Sequence, residues 1–348
     1  LGPARELMRS IMDTAQQTPK RIVLPEGELE VVVRASRNIV EERLGTPILL
    51  GDPEVIREVA EREEVDLTGV DLLDPRHSGR REGYADRLFQ RRKRKGITPG
   101  NALRKMQDPI YFGAMMVDAG DADTLVAGVS MSYPNSLRPA LHVIGMEEGV
   151  KSVAGLFMLV FQKQLYFFAD TTVSIDPTPE DMAETAILTA DFVRRLSINP
   201  RVAMISFSNF GSARHPESEK VRRAAEIVKH LRPDITIDGE MQADTAIVED
   251  ILKTRYPFSD LKRPANVLVF PNLTAANASY KLLARLGGAT AIGPVLLGMA
   301  KPVHLLQRGA TTEEITTLAA ICVVDAAHRG RVAEVVVSES AESEPAIV

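Results

Sequence analysis

Short apolar runs alternate with amphipathic helices along this chain, and that rhythm limits the fold more than any other feature. Arg21 to Leu24 reads as a strand closed by Pro25-Glu26-Gly27, and Glu30 to Arg43 as a helix. Thr46 to Leu50 is a strand stopped by Gly51-Asp52-Pro53, and Pro53 to Glu64 is again helical. Strands and helices at this spacing make βαβ units, which build a largely parallel sheet covered by helices. The rhythm returns with a helix at Asp108 to Gly120 and a strand at Ala122 to Val129. It continues in strands at Val202 to Ser206, Ile235 to Asp238, Asn266 to Phe270 and Thr290 to Ile292, with helices such as Glu217 to Leu231 and Leu273 to Leu286 between them. One interruption stands out. Val153 to Phe161 and Gln164 to Ile175 are both strand-like with no room for a helix between them, which predicts an antiparallel pair inserted into the α/β pattern. Thr178-Pro179-Glu180-Asp181 then opens a long helix, with Thr178 as N-cap, Pro179 as its first residue and two acids suited to the helix dipole.

The fold class expected is therefore α/β, in two mainly parallel subdomains. The 348 residues agree with about two domains at roughly 150 residues each. The division expected is 18–143 plus 303–332 for one subdomain and 144–302 for the other, with the last helix at Thr312 to His328 and residues 333–348 as a loose tail. Leu7, Met8, Ile11, Met12 and Ala15 lie on one face of a helix from Ala4 to Gln17. That face needs a surface, which this chain, a partner or an upstream domain could supply. Because the chain starts at Leu1 rather than Met, residues 1–17 are read as a linker helix from a missing upstream domain.

Several classes are excluded. A single cysteine, Cys322, rules out a disulfide framework and fits a reducing, cytoplasmic setting. It lies among Ala320, Ile321, Val323 and Val324, as a core residue does. No apolar run approaches the ~20 residues of a membrane span. The six histidines show no pair at metal-ligand spacing, so no metal site is expected. A net charge of −5 argues against a dedicated nucleic-acid binder.

Positive charge is nevertheless concentrated. Six of the nine residues from Arg87 to Lys95 are basic. They form either a solvated helix end or a grip for a polyanion, since guanidinium groups bind phosphate oxygens in pairs. Nucleic acid is the weaker alternative, because one short cluster is weak evidence for it. Ser206-Phe207-Ser208-Asn209-Phe210-Gly211-Ser212-Ala213 follows a strand, where open α/β sheets bind ligands. A third segment, Gly293-Pro294 to Lys301-Pro302 and on to Arg308-Gly309, reads as a tight turn with two cations. Lys301 and Arg308 either face an anion or cap helix ends.

Together these motifs resemble the phosphate acetyl/butyryltransferase family over about residues 18 to 329. The resemblance is carried by Arg92-Lys93-Arg94-Lys95-Gly96-Ile97-Thr98, Asn135-Ser136-Leu137-Arg138-Pro139-Ala140, the serine-rich loop, Asp238-Gly239-Glu240-Met241-Gln242-Ala243-Asp244, Phe270-Pro271-Asn272-Leu273 with Tyr280-Lys281, and the segment ending at Arg308-Gly309. It implies a phosphotransacetylase or isocitrate-dehydrogenase-like pair of α/β domains with a cleft between them, usually a dimer, and acetyl transfer between coenzyme A and phosphate. The family's anion-binding arginines carry over to Arg92, Arg138 and Arg308, and its serine loop to Ser208 and Ser212. Lys301 joins them as an expected acetyl-CoA or phosphate ligand.

Other positions depart from the family pattern. Gln307 stands where a Ser is usual, Leu296-Leu297 removes a Gln amide, Asn272 replaces an Asp, Thr274-Ala275-Ala276 replaces Asn-x-Gly, His304 replaces an Asn and Leu305 an Asp. The catalytic carboxylate falls at Glu314, yet Thr311-Thr312-Glu313-Glu314 is also a capping box, the reading preferred here. A base one methylene longer misplaces its oxygen by about an ångström, worth about a hundredfold in rate. Pro25-Glu26-Gly27-Glu28, Met241-Gln242-Ala243-Asp244 and Leu296-Leu297-Gly298 resemble the phosphotransacetylase-like C-terminal domain of bacterial multidomain NADP-dependent malic enzymes. The resemblance implies a regulatory and oligomer-forming domain that binds acetyl-CoA as effector, with transfer weak or lost. NADP, a divalent metal and malate decarboxylation then belong to the absent malic domain, and the expected partners are that domain and further copies of this chain. An active phosphate acetyltransferase is the alternative.

Overall fold

The computed structural model describes residues 3–161 and 164–342, with side chains placed for 6–161 and 164–329. The chain divides into two compact units, Arg9–Gly145 with Lys301–Val348, and Leu1–Met8 with Met146–Ala300. Among the described residues no helix is long and apolar enough to cross a membrane.

The first helix, α1 (Pro3–Gln17), buries Leu7, Ile11 and Ala15. Met8 and Met12 of the same face are half-buried. The first sheet then begins with β1 (Lys20–Leu24), α2 (Glu30–Glu41), β2 (Gly45–Leu50), α3 (Pro53–Arg62) and β3 (Asp71–Leu73). Next come α4 (Arg81–Arg92), a 3-10 turn at Lys93–Lys95, α5 (Pro99–Lys105), α6 (Pro109–Ala119), β4 (Thr124–Ala127) and α7 (Tyr133–Val143). The strands pair in parallel, and Ile22 to Leu24, Ile48 to Leu50 and Leu125 to Ala127 are apolar and buried, as in a sheet covered by helices. One local rule starts several helices. A side chain at N-cap precedes a proline at the first helical position, with Asp52 accepting from Glu54 N, Thr98 from Asn101 N and Asp108 from Ile110 N. Helix α6 is buried over Ile110 to Asp118. A Cβ on its Gly113 would come within 2.8 Å of both Leu125 and Val23, so glycine lets this helix lie close on the sheet.

The second unit carries β5 (Ala154–Val160), β6 (Leu165–Ala169), α8 (Pro179–Arg195), β7 (Arg201–Ile205), α9 (Pro216–Leu231), β8 (Thr236–Met241), α10 (Ala243–Ile247), α11 (Glu249–Arg255), β9 (Val267–Val269), α12 (Leu273–Arg285) and β10 (Thr290–Leu297). Its sheet runs β10-β5-β6-β9-β7-β8. Strands β5 and β6 are antiparallel, as are β10 and β5, while the remaining pairs are parallel. The antiparallel insertion read from the sequence is thus present. Strand β6 stops at Ala169, six residues short of the sequence reading. There the buried Asp170 carboxylate takes hydrogen bonds from the backbone N–H groups of Gly155, Thr172, Val173 and Ser174, which turns the chain out of the sheet. Gly293-Pro294, expected in a tight turn, lies inside edge strand β10 at a shift of register between Ile292 and Val295.

The chain closes with β11 (Val303–Leu305) and α13 (Thr312–Glu342). Strand β11 joins the first sheet beside β4, giving the parallel order β11-β4-β1-β2-β3. Ile315 and Leu318 to Val324 of α13 are buried, including Cys322, whose thiol burial pushes far above its usual range. The helix continues to Glu342 where the sequence suggests a loose tail from 333, and residues 343–348 lie outside the described region.

Candidate functional site

The basic cluster separates into two groups. Arg87 Nε and Arg91 Nη1 of α4 lie 2.7 and 2.8 Å from the buried Asp118 carboxylate, so these two cations belong to the scaffold. Arg92, Lys95, Lys105 and Arg138 instead bear on one imidazole. Burial and the charges of Arg92, Lys105, Arg138 and Lys95 push the pKa of His142 down to about 4, leaving it neutral at pH 7. Lys105 donates to Tyr111 Oη at 3.1 Å, and Tyr111 Oη lies 2.7 Å from His142 Nδ1. An ammonium can only donate, so Tyr111 Oη accepts from Lys105. Arg92 Nε is buried without a partner, and Arg138 is exposed on α7. Four cations around a neutral histidine make a field suited to a phosphorylated ligand. Binding one should cancel part of that field. In NMR titration His142 is expected to protonate near pH 4 in the free chain and at higher pH when coenzyme A is added. A midpoint near 6.5 that coenzyme A leaves unmoved contradicts the assignment.

Arg308 is presented by the carboxyl ends of β4 and β11, the edge at which open α/β sheets bind ligands. Glu26, in the loop after β1, accepts from Gly128 N at 2.7 Å, Val129 N at 2.9 Å and Ser130 N at 2.7 Å, and from the Ser130 hydroxyl. This arrangement ends β4 at Ala127, before the Val129 expected from sequence. The next loop is tied to it, with Leu306 N donating to Ala127 O at 2.7 Å and Gly309 N to Val129 O at 2.9 Å. A Cβ on Gly128 (φ +110°) would fall 2.8 Å from Leu306 O, so the two loops meet closely only with glycine there. Arg308, on the second loop, is exposed.

Two expected site residues have other partners. Lys301 Nζ donates to the carbonyls of Val117 and Asp118 at 3.1 and 3.0 Å, at the C-terminal end of α6. It is a helix cap rather than an anion ligand, because its charge offsets the negative end of the helix dipole. Glu314 Oε2 accepts from Thr311 N at 2.7 Å and Thr311 Oγ1 at 3.1 Å, while Glu314 N donates to Thr311 Oγ1 at 3.2 Å. The capping box is complete and engages one oxygen, Oε2, of the carboxylate. Among the described residues His304 and Leu305 lie buried in β11.

In the second unit the serine-rich loop follows β7. Ser208 is fully buried, and its hydroxyl donates to Glu240 Oε1 at 2.9 Å while accepting from Ala213 N at 3.1 Å. Ser212 is exposed, and its Oγ accepts from Asn209 N at 2.9 Å. Ser208 therefore shapes the loop, and Ser212 holds the exposed position. Sequence reasoning gave Glu240 no role. Yet it is 1% exposed and also accepts from Gly211 N at 2.6 Å, so its carboxylate organises the loop. The available signal was an acid set between a strand-like run and a family motif, Asp238-Gly239-Glu240.

Comparison with known proteins follows the same lines. The chain is 39% identical over 328 residues to a phosphate acetyltransferase of Clostridium acetobutylicum, spanning 92% of this chain and 98% of that protein. It is 40% identical over 325 residues to an NADP-dependent malic enzyme of Escherichia coli, spanning 92% of this chain but 43% of that protein. The structure of a phosphotransacetylase from Streptococcus pyogenes superposes with a TM-score of 0.89 at 36% identity, covering 93% of this chain and 99% of that one. Full-length acetyltransferases and the partial malic-enzyme match thus cover the same share of this chain, so the narrower malic-enzyme resemblance is not set apart by them. A family profile described as phosphate acetyl/butaryl transferase matches residues 6–323, and the chain belongs to that family.

Proposed function

We propose that the chain is an active phosphate acetyltransferase, exchanging an acetyl group between coenzyme A and phosphate. The observation that carries this reading is the end-to-end match to a full-length phosphate acetyltransferase, at 98% of that protein's length. It reverses the ranking drawn from sequence, in which lost polar groups favoured a regulatory domain. In the synthetic direction the coenzyme A sulfur attacks the carbonyl carbon of acetyl phosphate. A C–S bond forms, the C–O bond to phosphate breaks, and the phosphate leaves with that electron pair and takes up the thiol proton, departing as hydrogenphosphate. Arg308 offsets charge on the acyl phosphate, while Arg92 and Arg138 hold phosphates of the coenzyme. Orientation and fixed positive charge then supply the rate enhancement.

Glu314 tests the division between cap and base. Gln preserves the acceptor that the capping box needs, so Glu314→Gln is expected to change kcat by less than about threefold. A drop of about a hundredfold with unchanged thermal stability identifies Glu314 as the base instead. The second reading, an acetyl-CoA-sensing domain of a larger malic enzyme, draws support from the match to the Escherichia coli protein and from the occupied Glu314. Calorimetry beside a turnover assay separates the two, because a sensor binds acetyl-CoA without transferring it.

A further inference from the structure

The imidazole of His142 is held from one side. Its Nδ1 lies 2.7 Å from Tyr111 Oη, and Tyr111 is buried in α6. Lys105 fixes that tyrosine twice, with Nζ 3.1 Å from the hydroxyl and 4.2 Å from the ring centroid. The two nitrogens of an imidazole lie on different edges of the ring, so with Nδ1 on Tyr111 the Nε2 atom is turned away from it. Nε2 has no hydrogen-bond partner among the described residues and, unlike Arg92 Nε, is not sealed from solvent. A ligand can reach it.

The surroundings say which kind of ligand. Arg138 and His142 are four residues apart on α7 and share a face of that helix. Helix α4 brings Arg92, the turn after it Lys95 and α5 Lys105, and with Arg138 these are the charges that act most on the imidazole. Arg87 and Arg91, further back on α4, are held by Asp118. Strand β11 also packs on α7, but its titratable residue, His304, is buried 3.9 Å from Asp325. Among these groups the imidazole is the one whose charge ordinarily changes between pH 5 and 8. In the free chain four cations oppose a proton on it. A phosphate seated by Arg92 and Arg138 offsets them and offers an acceptor to Nε2. In an imidazolium both nitrogens donate, and Tyr111 Oη has two lone pairs, one for Lys105 and one for Nδ1.

We propose that His142 contacts the ligand directly, Nε2 donating to a phosphate of the coenzyme, and that the ring takes up a proton from solvent as that phosphate arrives and returns it when the phosphate leaves. Tyr111 is a positioning residue that acts through His142. The proposal rests on Arg92 and Arg138 holding coenzyme phosphates.

Calorimetry with coenzyme A on the full chain, at about pH 7.5 and about pH 5, tests it. An opposite charge in contact moves a titration midpoint by about one to three pH units, which places His142 at about 6 in the complex against about 4 in the free chain. The gain in affinity is complete below the lower midpoint and is lost as pH rises through the upper one. The wild type should therefore tighten about tenfold more than His142→Gln between the two conditions. The glutamine keeps a side-chain donor but cannot take up the proton, and the ligand's own titration is common to both proteins. His142→Asn does the same work if the glutamine variant fails to fold. A residue that only packs gives the variant weaker binding with the same pH dependence, and that result overturns the proposal, as does no heat from coenzyme A at millimolar concentration. Binding is read without turnover, so a chain that makes no thioester yet keeps the pH difference loses acetyl transfer and retains this contact.

Discussion

Arg308→Gln is expected to lower kcat/KM for acetyl phosphate by two to three orders of magnitude while barely moving the melting temperature. Arg308 is exposed on the loop after β11, with no ion pair among the described residues, so its removal takes nothing from the core. Its charge is placed instead to meet the substrate. Loss of a single preorganised donor at a site of developing negative charge typically costs about a hundred- to a thousandfold in rate. Lysine should restore only part of this loss, because an ammonium lacks the paired geometry of a guanidinium toward phosphate oxygens. Steady-state kinetics beside thermal melts check the outcome. A loss below about threefold would remove Arg308 from the site.

The second large effect is expected at Glu26. Its carboxylate gathers three backbone N–H groups and one hydroxyl of Gly128 to Ser130, and that loop in turn fixes Gly309, next to Arg308. Hydrogen bonds to a charged acceptor contribute about 1.5–3 kcal/mol each when buried, less where water can replace them. Because Ser130 is exposed and the bonds share one carboxylate, a destabilisation of about 2–4 kcal/mol is expected for Glu26→Ala. Transfer should fall by at least about tenfold in the folded fraction, because an ångström of displacement at a positioning group is that costly. Glu26→Gln should be intermediate, since its amide nitrogen faces donors it cannot accept from. Urea titration measures the stability change, and a shift below about 0.5 kcal/mol contradicts the role given to this carboxylate.

Much of the scaffold was legible because its signals are local. The apolar runs of β1 and β2, the residue-proline starts at Asp52 and Thr178, and the Thr311 to Glu314 capping box each involve neighbours within a few positions. What sequence misplaced depends on distant partners. Lys301 looks like a free cation until folding brings it to carbonyls 183 and 184 positions away. The early end of β6 is set by Asp170 reaching back to Gly155, and β4 ends where Glu26, 102 positions before Gly128, captures the loop. Glu240 is of the same kind, because its role follows from a serine 32 residues earlier. The arginines Arg92, Arg138 and Arg308 were found through a family pattern, and the convergence of Arg92 and Arg138 on His142 became visible only in three dimensions.

The central claim is that this chain transfers acetyl groups, and thioester formation tests it most directly. Purified chain is mixed with coenzyme A and acetyl phosphate, and acetyl-CoA is followed by its ultraviolet absorbance. The account predicts turnover in the ordinary enzymatic range of about 1–10³ s⁻¹, with kcat/KM lowered about a hundred- to a thousandfold in Arg308→Gln. Coenzyme A binding with no thioester above the enzyme-free rate would contradict it.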